Sequence, residues 1–281
     1  MTTPLRIGIA GLGNVGASVF RLLGANAAVL SARAGRDIVV TAVSARDKSR
    51  DRGIDTSGVN WHDDPRAMAA DDSVDVVVEL MGGAEGAAFD LVTAALKSGK
   101  DVVTANKALL ASRGGEVLAQ LGASSGIIAY EAAVAGGIPV IKGLREGLAA
   151  NNVHAIYGIL NGTCNFILST MTETGRDFED VLSEAQQRGY AEADPSFDVD
   201  GVDAGHKLSI LSGLAFGCVP DVKNIELKGI RGISALDIAF ADELGFRIKL
   251  LGIARKTARG IEQSVEPCLV PAKSPIAAVG G

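Results

Sequence analysis

The sequence predicts an α/β protein: a doubly wound parallel sheet over residues 1–132, then a second α/β unit of α+β character over 133–281. Three observations predict it. Short β-branched runs alternate with helix-length segments through the first part of the chain. Runs such as VDVVVEL are apolar throughout instead of alternating, as a parallel sheet covered on both faces requires. A glycine-rich turn follows the first such run and opens a helical stretch, the arrangement of nucleotide-binding sheets.

Taken in order, buried strands are expected at 5–10, 38–43, 74–80, 101–104 and 126–130, with helices between them. At 131–139 the texture changes to EAAVAGGIP, whose small residues let the backbone turn sharply, and the domain boundary is placed there. Beyond it come a helix at 140–150, the strand-like VHAIYGIL, an NGTCNFI turn opening another helix, an acidic loop, a helix at 202–216 and further strands. The sequence stops on two glycines in mid-pattern, which reads as a fragment of a longer chain.

Composition narrows the function. Lys and Arg number 27 against 33 Asp and Glu, a net charge of −6 with no basic run, which excludes nucleic acid and anionic membrane surfaces as expected partners. Mean hydropathy is +0.26, yet no run approaches the roughly 18 apolar residues of a membrane span. The N-terminus leads straight into a strand pattern without a basic leader, so a cytoplasmic protein acting on a small molecule is expected. Cys164, Cys218 and Cys268 are far apart and in no CxxC spacing, so reduced thiols are expected instead of a disulfide framework or zinc site.

The turn GLGNVG comprises Gly11, Leu12, Gly13, Asn14, Val15 and Gly16. Gly11 permits the tight bend, Gly13 lets backbone meet a pyrophosphate, Gly16 lets helix and strand pack closely, and phosphate sits on the helix N-terminus. A dinucleotide is therefore the expected cofactor. An acidic residue at the end of the second strand would select NAD, but that strand ends in Ser44. Arg46, Lys48 and Arg50 surround Asp47 in the following loop, which favours a 2′-phosphate and hence NADP(H), with NAD(H) still open. The alternative is a solvated charged loop.

The chemistry concentrates in GYAEADPSFDVDGVDAGHKL, where Glu192, Asp194, Asp198, Asp200 and Asp203 precede Lys207. In a helix from about residue 201, each residue advances about 100°, so Asp203 and Lys207 lie within roughly 40° on one face. Ile210, Leu211 and Leu214 share that arc, whereas Gly205, His206, Ser209 and Ser212 occupy the opposite one, expected to meet solvent. An inward lysine is tolerated when paired, so a functional pair is expected rather than a surface ion pair. His206 is assigned to the surface, and His62 and His154 show no partner pattern. Lys107, in VVTANK, follows a strand at the ligand-holding carboxyl edge, either to reach nicotinamide or substrate or simply to start a surface helix.

Together GLGNVG, TANK, EAAVAGGIP, LNGTCN, GYAEADPSFDVDG and DAGHKL, in this order, resemble the homoserine dehydrogenase family, across 5–250 at least. The resemblance implies a Rossmann-type nucleotide domain, a catalytic and dimerisation domain, and reversible reduction of L-aspartate 4-semialdehyde to L-homoserine with NAD(P)H, on the route to threonine, methionine and isoleucine. It implies that Lys207 donates the proton, that Asp203 binds the reacting oxygen or a water, and that Glu192 and Asp198 hold the substrate ammonium. It further implies that Gly189 approaches the cofactor, Thr104 lies by the ribose, and Lys107 lies by nicotinamide and substrate. A sodium ion on the Glu131 carboxylate and the carbonyls of Val134, Gly136 and Ile138, and a homodimer, are likewise implied. Members continue with a segment returning to the nucleotide domain, and many bacterial ones add a regulatory domain; neither is in this sequence. Two other readings stay open: a NADP(H)-binding protein without turnover, and an aspartate-semialdehyde dehydrogenase-like enzyme with Cys164 as nucleophile.

Overall fold

A computed structural model describes residues 3–122 and 125–280. The chain divides into two compact units, Met1–Gly147 and Leu148–Gly281.

The first unit is built on six strands: β1 (Leu5–Ala10), β2 (Ile38–Ser44), β3 (Asn60–Trp61), β4 (Val76–Glu79), β5 (Asp101–Thr104) and β6 (Ile128–Ala129). They form one sheet in the order β3-β2-β1-β4-β5-β6, parallel at every pairing. The order reverses beside β1, because β2 lies on one side of it and β4 on the other, and a ligand crevice opens at the carboxyl ends of strands at such a switch. Helices α1 (Asn14–Ala25), α2 (Ala27–Ala34), α3 (Ala87–Lys97) and α4 (Lys107–Leu121) connect them. Ile7, Ile9, Val43, Val76 and Val78 form part of the core, which is why these segments are apolar without alternation.

The bend after β1 requires its glycines. Gly11 has φ +99°, and a Cβ there would lie 2.6 Å from the Leu80 carbonyl oxygen. A Cβ on Gly16 would meet the Gly11 carbonyl oxygen at 1.8 Å. Any side chain at either position would force β1, α1 and the turn after β4 apart.

The helix expected at 140–150 is not regular. Only α5 (Val140–Lys142) is α-helical, and Gly143–Gly147 continues as a π-helical turn. Gly143 and Gly147 are weak helix formers, and little of this stretch is buried to compensate.

The second unit contains β7 (Ala155–Gly158), α6 (Gly162–Thr174), α7 (Phe178–Gln187), α8 (Ser196–Val199), α9 (Val202–Phe216), β8 (Glu226–Leu227), α10 (Ala235–Glu243), β9 (Phe246–Thr257) and β10 (Gly260–Pro271). Its sheet runs β7-β9-β10-β8, antiparallel except where β8 joins β10. Cys164, Ile167, Leu168 and Met171 of α6 bury against Val181 and Ala185 of α7, Leu208 of α9, and Ile248 and Leu250 of β9. No single helix among the described residues is long and apolar enough to cross a membrane.

The face of α9 expected to meet solvent is buried instead. Ser209 and Ser212 are each 1% exposed, and Gly205 is buried so tightly that a Cβ would lie 2.8 Å from Leu227 Cδ2. A wheel supposes one covered face, whereas α9 packs against α8, β9 and β10. Ser209 donates its hydroxyl to the His206 carbonyl, one helical turn back, whereas the buried Ser212 hydroxyl has no partner among the described residues. His206 is half-buried and packs edge-on against Phe197, with ring centroids 5.4 Å apart. His62 has a partner after all, its Nε2 lying 2.8 Å from Asp71 Oδ2.

Candidate active site

At the carboxyl edge of the first sheet a groove of about 550 Å3 runs over the glycine turn. Gly11, Leu12 and Gly13 form its floor, Ser44, Arg46, Asp47, Arg50 and Arg52 one flank, and Leu80, Met81 and Gly82 part of the other. Nothing lies within 4 Å of where a Gly13 Cβ would be, so this glycine keeps space open for a ligand. Asn14 and Val15 begin α1 and are exposed, and α1 has no capping side chain, so its first amides face outward.

Arg46 and Arg50 line the groove as expected from sequence, and Arg52 joins them. Arg52 also ties the turn in place: Nε donates to the Leu12 carbonyl at 3.0 Å and Nη2 to the Asp47 carbonyl at 2.5 Å. Lys48 leans over the Trp61 ring, 5.6 Å from its centroid. The Asp47 carboxylate accepts from the Ser49 hydroxyl and amide at 2.6 and 2.9 Å, and these bonds hold it below the usual carboxylate range. Its hydrogen-bonding capacity is thus directed largely into its own loop.

The other end of the edge is organised by Glu79, fully buried at the end of β4. Its Oε1 accepts the Met81 and Gly82 amides at 2.8 and 3.1 Å, and Oε2 accepts the Thr104 hydroxyl at 2.6 Å. Thr104 Oγ1 in turn accepts the Asn106 amide at 2.9 Å. Asn106 donates Nδ2 to the Gly83 carbonyl at 2.7 Å and caps α4 by accepting from Leu109 N at 3.1 Å. Lys107, half-buried, is the first residue of that helix.

By resemblance the turn at 131–139 was given a cation on Glu131 and three carbonyls, and the chemistry of these donors suits such an ion. Both Glu131 carboxylate oxygens accept an amide, from Ile141 at 2.8 Å and Lys142 at 2.9 Å, and each keeps a second lone pair that a cation could use. Val134, Gly136 and Ile138 offer backbone carbonyls, hard oxygen donors suited to a monovalent cation. No cluster of three or more metal-binding side chains occurs among the described residues.

In the second unit the acidic segment and α9 converge on the start of α6. Lys207 Nζ donates to Asp203 Oδ2 at 2.6 Å and to the Leu160 carbonyl at 2.9 Å. The Asp203 side chain is 5% exposed and that of Lys207 19%, so this is a sequestered pair, not a solvated one. The two amide protons of Asn161 Nδ2 are divided between Asp203 Oδ2, at 3.0 Å, and Asp198 Oδ1, at 2.8 Å, while its Oδ1 caps α6 through the Cys164 amide at 2.8 Å. One neutral side chain therefore starts a helix and holds two carboxylates side by side. Thr163 Oγ1 lies 2.9 Å from the Tyr190 carbonyl and 3.3 Å from Asp198 Oδ2, and its single proton serves the nearer.

The remaining acids have separate partners. Asp194 accepts from the Ser196 amide, and Asp200 pairs with Arg231 at 2.6 Å. Glu192 is exposed, with its backbone carbonyl accepting from Gln186 Nε2. Gly189 is exposed too and has φ +75°, a backbone conformation that only glycine adopts freely. Asn161 has a legible cap signature, but its hold on two acids that follow it by some forty positions does not show in the sequence. The same is true of Arg52 and Glu79.

Cys164 is fully buried, and its Sγ contacts the Asp198 carbonyl at 3.2 Å. Burial, with Asp198 and Asp203 adding to it, pushes the thiol up to about 12. Such a sulfur is a poor nucleophile near neutrality. Thioester chemistry at this position, as the aspartate-semialdehyde dehydrogenase-like reading needs, finds no support in it.

The relatives of the chain agree with this geometry. Residues 11–131 match the family model of the homoserine dehydrogenase NAD-binding domain, and 139–281 match that of homoserine dehydrogenase itself. The homoserine dehydrogenases of Pseudomonas aeruginosa and Neisseria gonorrhoeae are 49% and 50% identical over 278 residues, covering 99% of this chain and 63% of each relative. A crystal structure of a homoserine dehydrogenase from Thiobacillus denitrificans superposes with a TM-score of 0.94 at 47% identity, covering 99% of this chain and 64% of that one. The chain thus spans somewhat less than two thirds of the length of these relatives. A glycine-turn nucleotide sheet followed by a mixed unit with a sequestered Asp–Lys pair, matched by both family models, identifies the chain as a member of the homoserine dehydrogenase family.

Proposed function

We propose that the protein reduces L-aspartate 4-semialdehyde to L-homoserine, with NADPH preferred over NADH. The observation that carries this reading is the sequestered ammonium of Lys207. Two of its three N–H bonds go to Asp203 and Leu160, and no described residue engages the third. Nicotinamide, when bound, supplies the hydride that adds to the aldehyde carbon. Lys207 gives a proton to the aldehyde oxygen, directly or through water, as negative charge develops there. Asp203 and the Leu160 carbonyl fix the direction of that ammonium. Asp198, held by Asn161, and Glu192 take the substrate ammonium, and opposite charges at that end orient the aldehyde.

For the cofactor, Gly11 to Gly16 and the open start of α1 receive the pyrophosphate. Arg46 and Arg50, with no carboxylate at the end of β2, favour a 2′-phosphate. Lys107 serves the nicotinamide end. Thr104 contributes through its backbone, because its hydroxyl already donates to Glu79 and accepts from Asn106. A sodium ion belongs on the Glu131 carboxylate and the carbonyls of Val134, Gly136 and Ile138. The reading carries with it a cytoplasmic homodimer in the biosynthesis of threonine, methionine and isoleucine.

Mixing the chain with NADPH and aspartate semialdehyde tests it. Nicotinamide absorbance should fall as homoserine accumulates in equal amount. Tight NADPH binding without turnover would leave a nucleotide-binding protein in its place.

A further inference from the structure

Glu79 is a buried carboxylate that the proposed reaction does not use. Val76, Val77 and Val78 before it are buried as well, so sheet packing alone would be served by another apolar residue. Burying a carboxylate is unfavourable unless its oxygens are satisfied, and among the described residues no cation pairs with it. Its three partners are all donors: the Met81 amide, the Gly82 amide and the Thr104 hydroxyl. The Thr104 proton points to Glu79 because Thr104 Oγ1 accepts from the Asn106 amide. Asn106 then returns to the first turn through the Gly83 carbonyl. The bonds close a ring between the turn after β4, at 79–83, and the turn after β5, at 104–106.

Each turn carries a functional surface. Leu80, Met81 and Gly82 line the dinucleotide groove, and Lys107 follows Asn106 directly. We propose that Glu79 is a positioning residue that locks the groove wall and the lysine-bearing turn into one rigid edge, so that cofactor binding and the chemical step depend on it together. This rests on the dehydrogenase reading above.

Glu79→Gln tests it most sharply. The amide oxygen can still accept from Met81 and Gly82, but the amide nitrogen can only donate, so the buried Thr104 hydroxyl proton loses its acceptor. Thr104→Val breaks the same edge from the other side. Each variant should weaken NADPH binding, read by nicotinamide fluorescence, by roughly tenfold. Each should also lower kcat at saturating NADPH, and the double variant should be little worse than the worse single one, because one ring is broken once. A purely structural residue would lower the melting temperature and leave the dissociation constant and kcat of the folded protein unchanged. Direct contact of Thr104 with the cofactor would make Thr104→Val harmful and Glu79→Gln harmless. Either result overturns the proposal. In the unmutated protein, amide exchange at Met81, Gly82 and Asn106 should occur by one common opening, and three unrelated opening rates would overturn it even if neither variant folds. Wild-type protein that does not bind NADPH would instead sink the dehydrogenase reading, whereas normal turnover with indifferent variants sinks only the ring.

Discussion

Asn161 shows how much one neutral side chain holds at this site. Its carbonyl oxygen starts α6, and its amide group separates Asp198 from Asp203 by giving each a proton. Aspartate caps a helix as well as asparagine, so Asn161→Asp keeps the cap while placing a third carboxylate against the other two. Turnover should fall by more than about tenfold while the circular dichroism spectrum stays that of the folded chain; a variant with normal turnover would show that the bridge does not matter. Cys164 makes the opposite prediction. Its thiol is pushed up to about 12 by burial and the neighbouring acids, so it ionises later in the folded chain than in the unfolded one. Its contribution to stability is therefore complete below the ordinary thiol value and is lost as pH rises toward that of the folded state. Urea midpoints between about pH 8 and about pH 11 should decline less in Cys164→Ala than in the parent. Alkylating the native protein with iodoacetamide should leave turnover intact, and rapid inactivation traced to Cys164 would revive the thioester reading.

At the scale of elements, much of the fold was legible because parallel strands announce themselves. The apolar runs at 5–10 and 101–104 became β1 and β5 at the expected bounds, and 202–216 became α9. Two-residue β3 was not legible, since Asn60–Trp61 is too short to show a pattern and exists by pairing with β2. The helix expected at 140–150 failed because periodicity does not register two glycines in an exposed stretch. On α9 the wheel chose the right stripe for Asp203 and Lys207 and then supposed the other side wet, where Gly205 lets β8 approach and the two serines are buried. The Asp203–Lys207 pair was readable because its members are four residues apart on one helix. The groups that hold it, Leu160 and Asn161, belong to another element. Lys249 illustrates the same limit: its buried ammonium donates to Asn165 and Ser169 on α6, eighty or more positions away, and to the Val279 carbonyl thirty positions on, all neutral oxygens. No local pattern marks such a site.

For the whole molecule, the charge balance is acidic at −6, yet Arg46, Arg50 and Arg52 together line one flank of the groove. Arg46→Ala should weaken NADPH by roughly tenfold and leave NADH almost unaffected, measured by titration of each nucleotide. Equal losses for both would mean that the arginine does not meet a 2′-phosphate. The proposed reduction calls on the sequestered ammonium, and single-turnover decay of nicotinamide absorbance with aspartate semialdehyde reads that step directly. Lys207→Ala should slow the decay by about 10² to 10⁴ with NADPH affinity nearly unchanged. A decay as fast as that of the unmutated chain would contradict the assignment of the proton to Lys207.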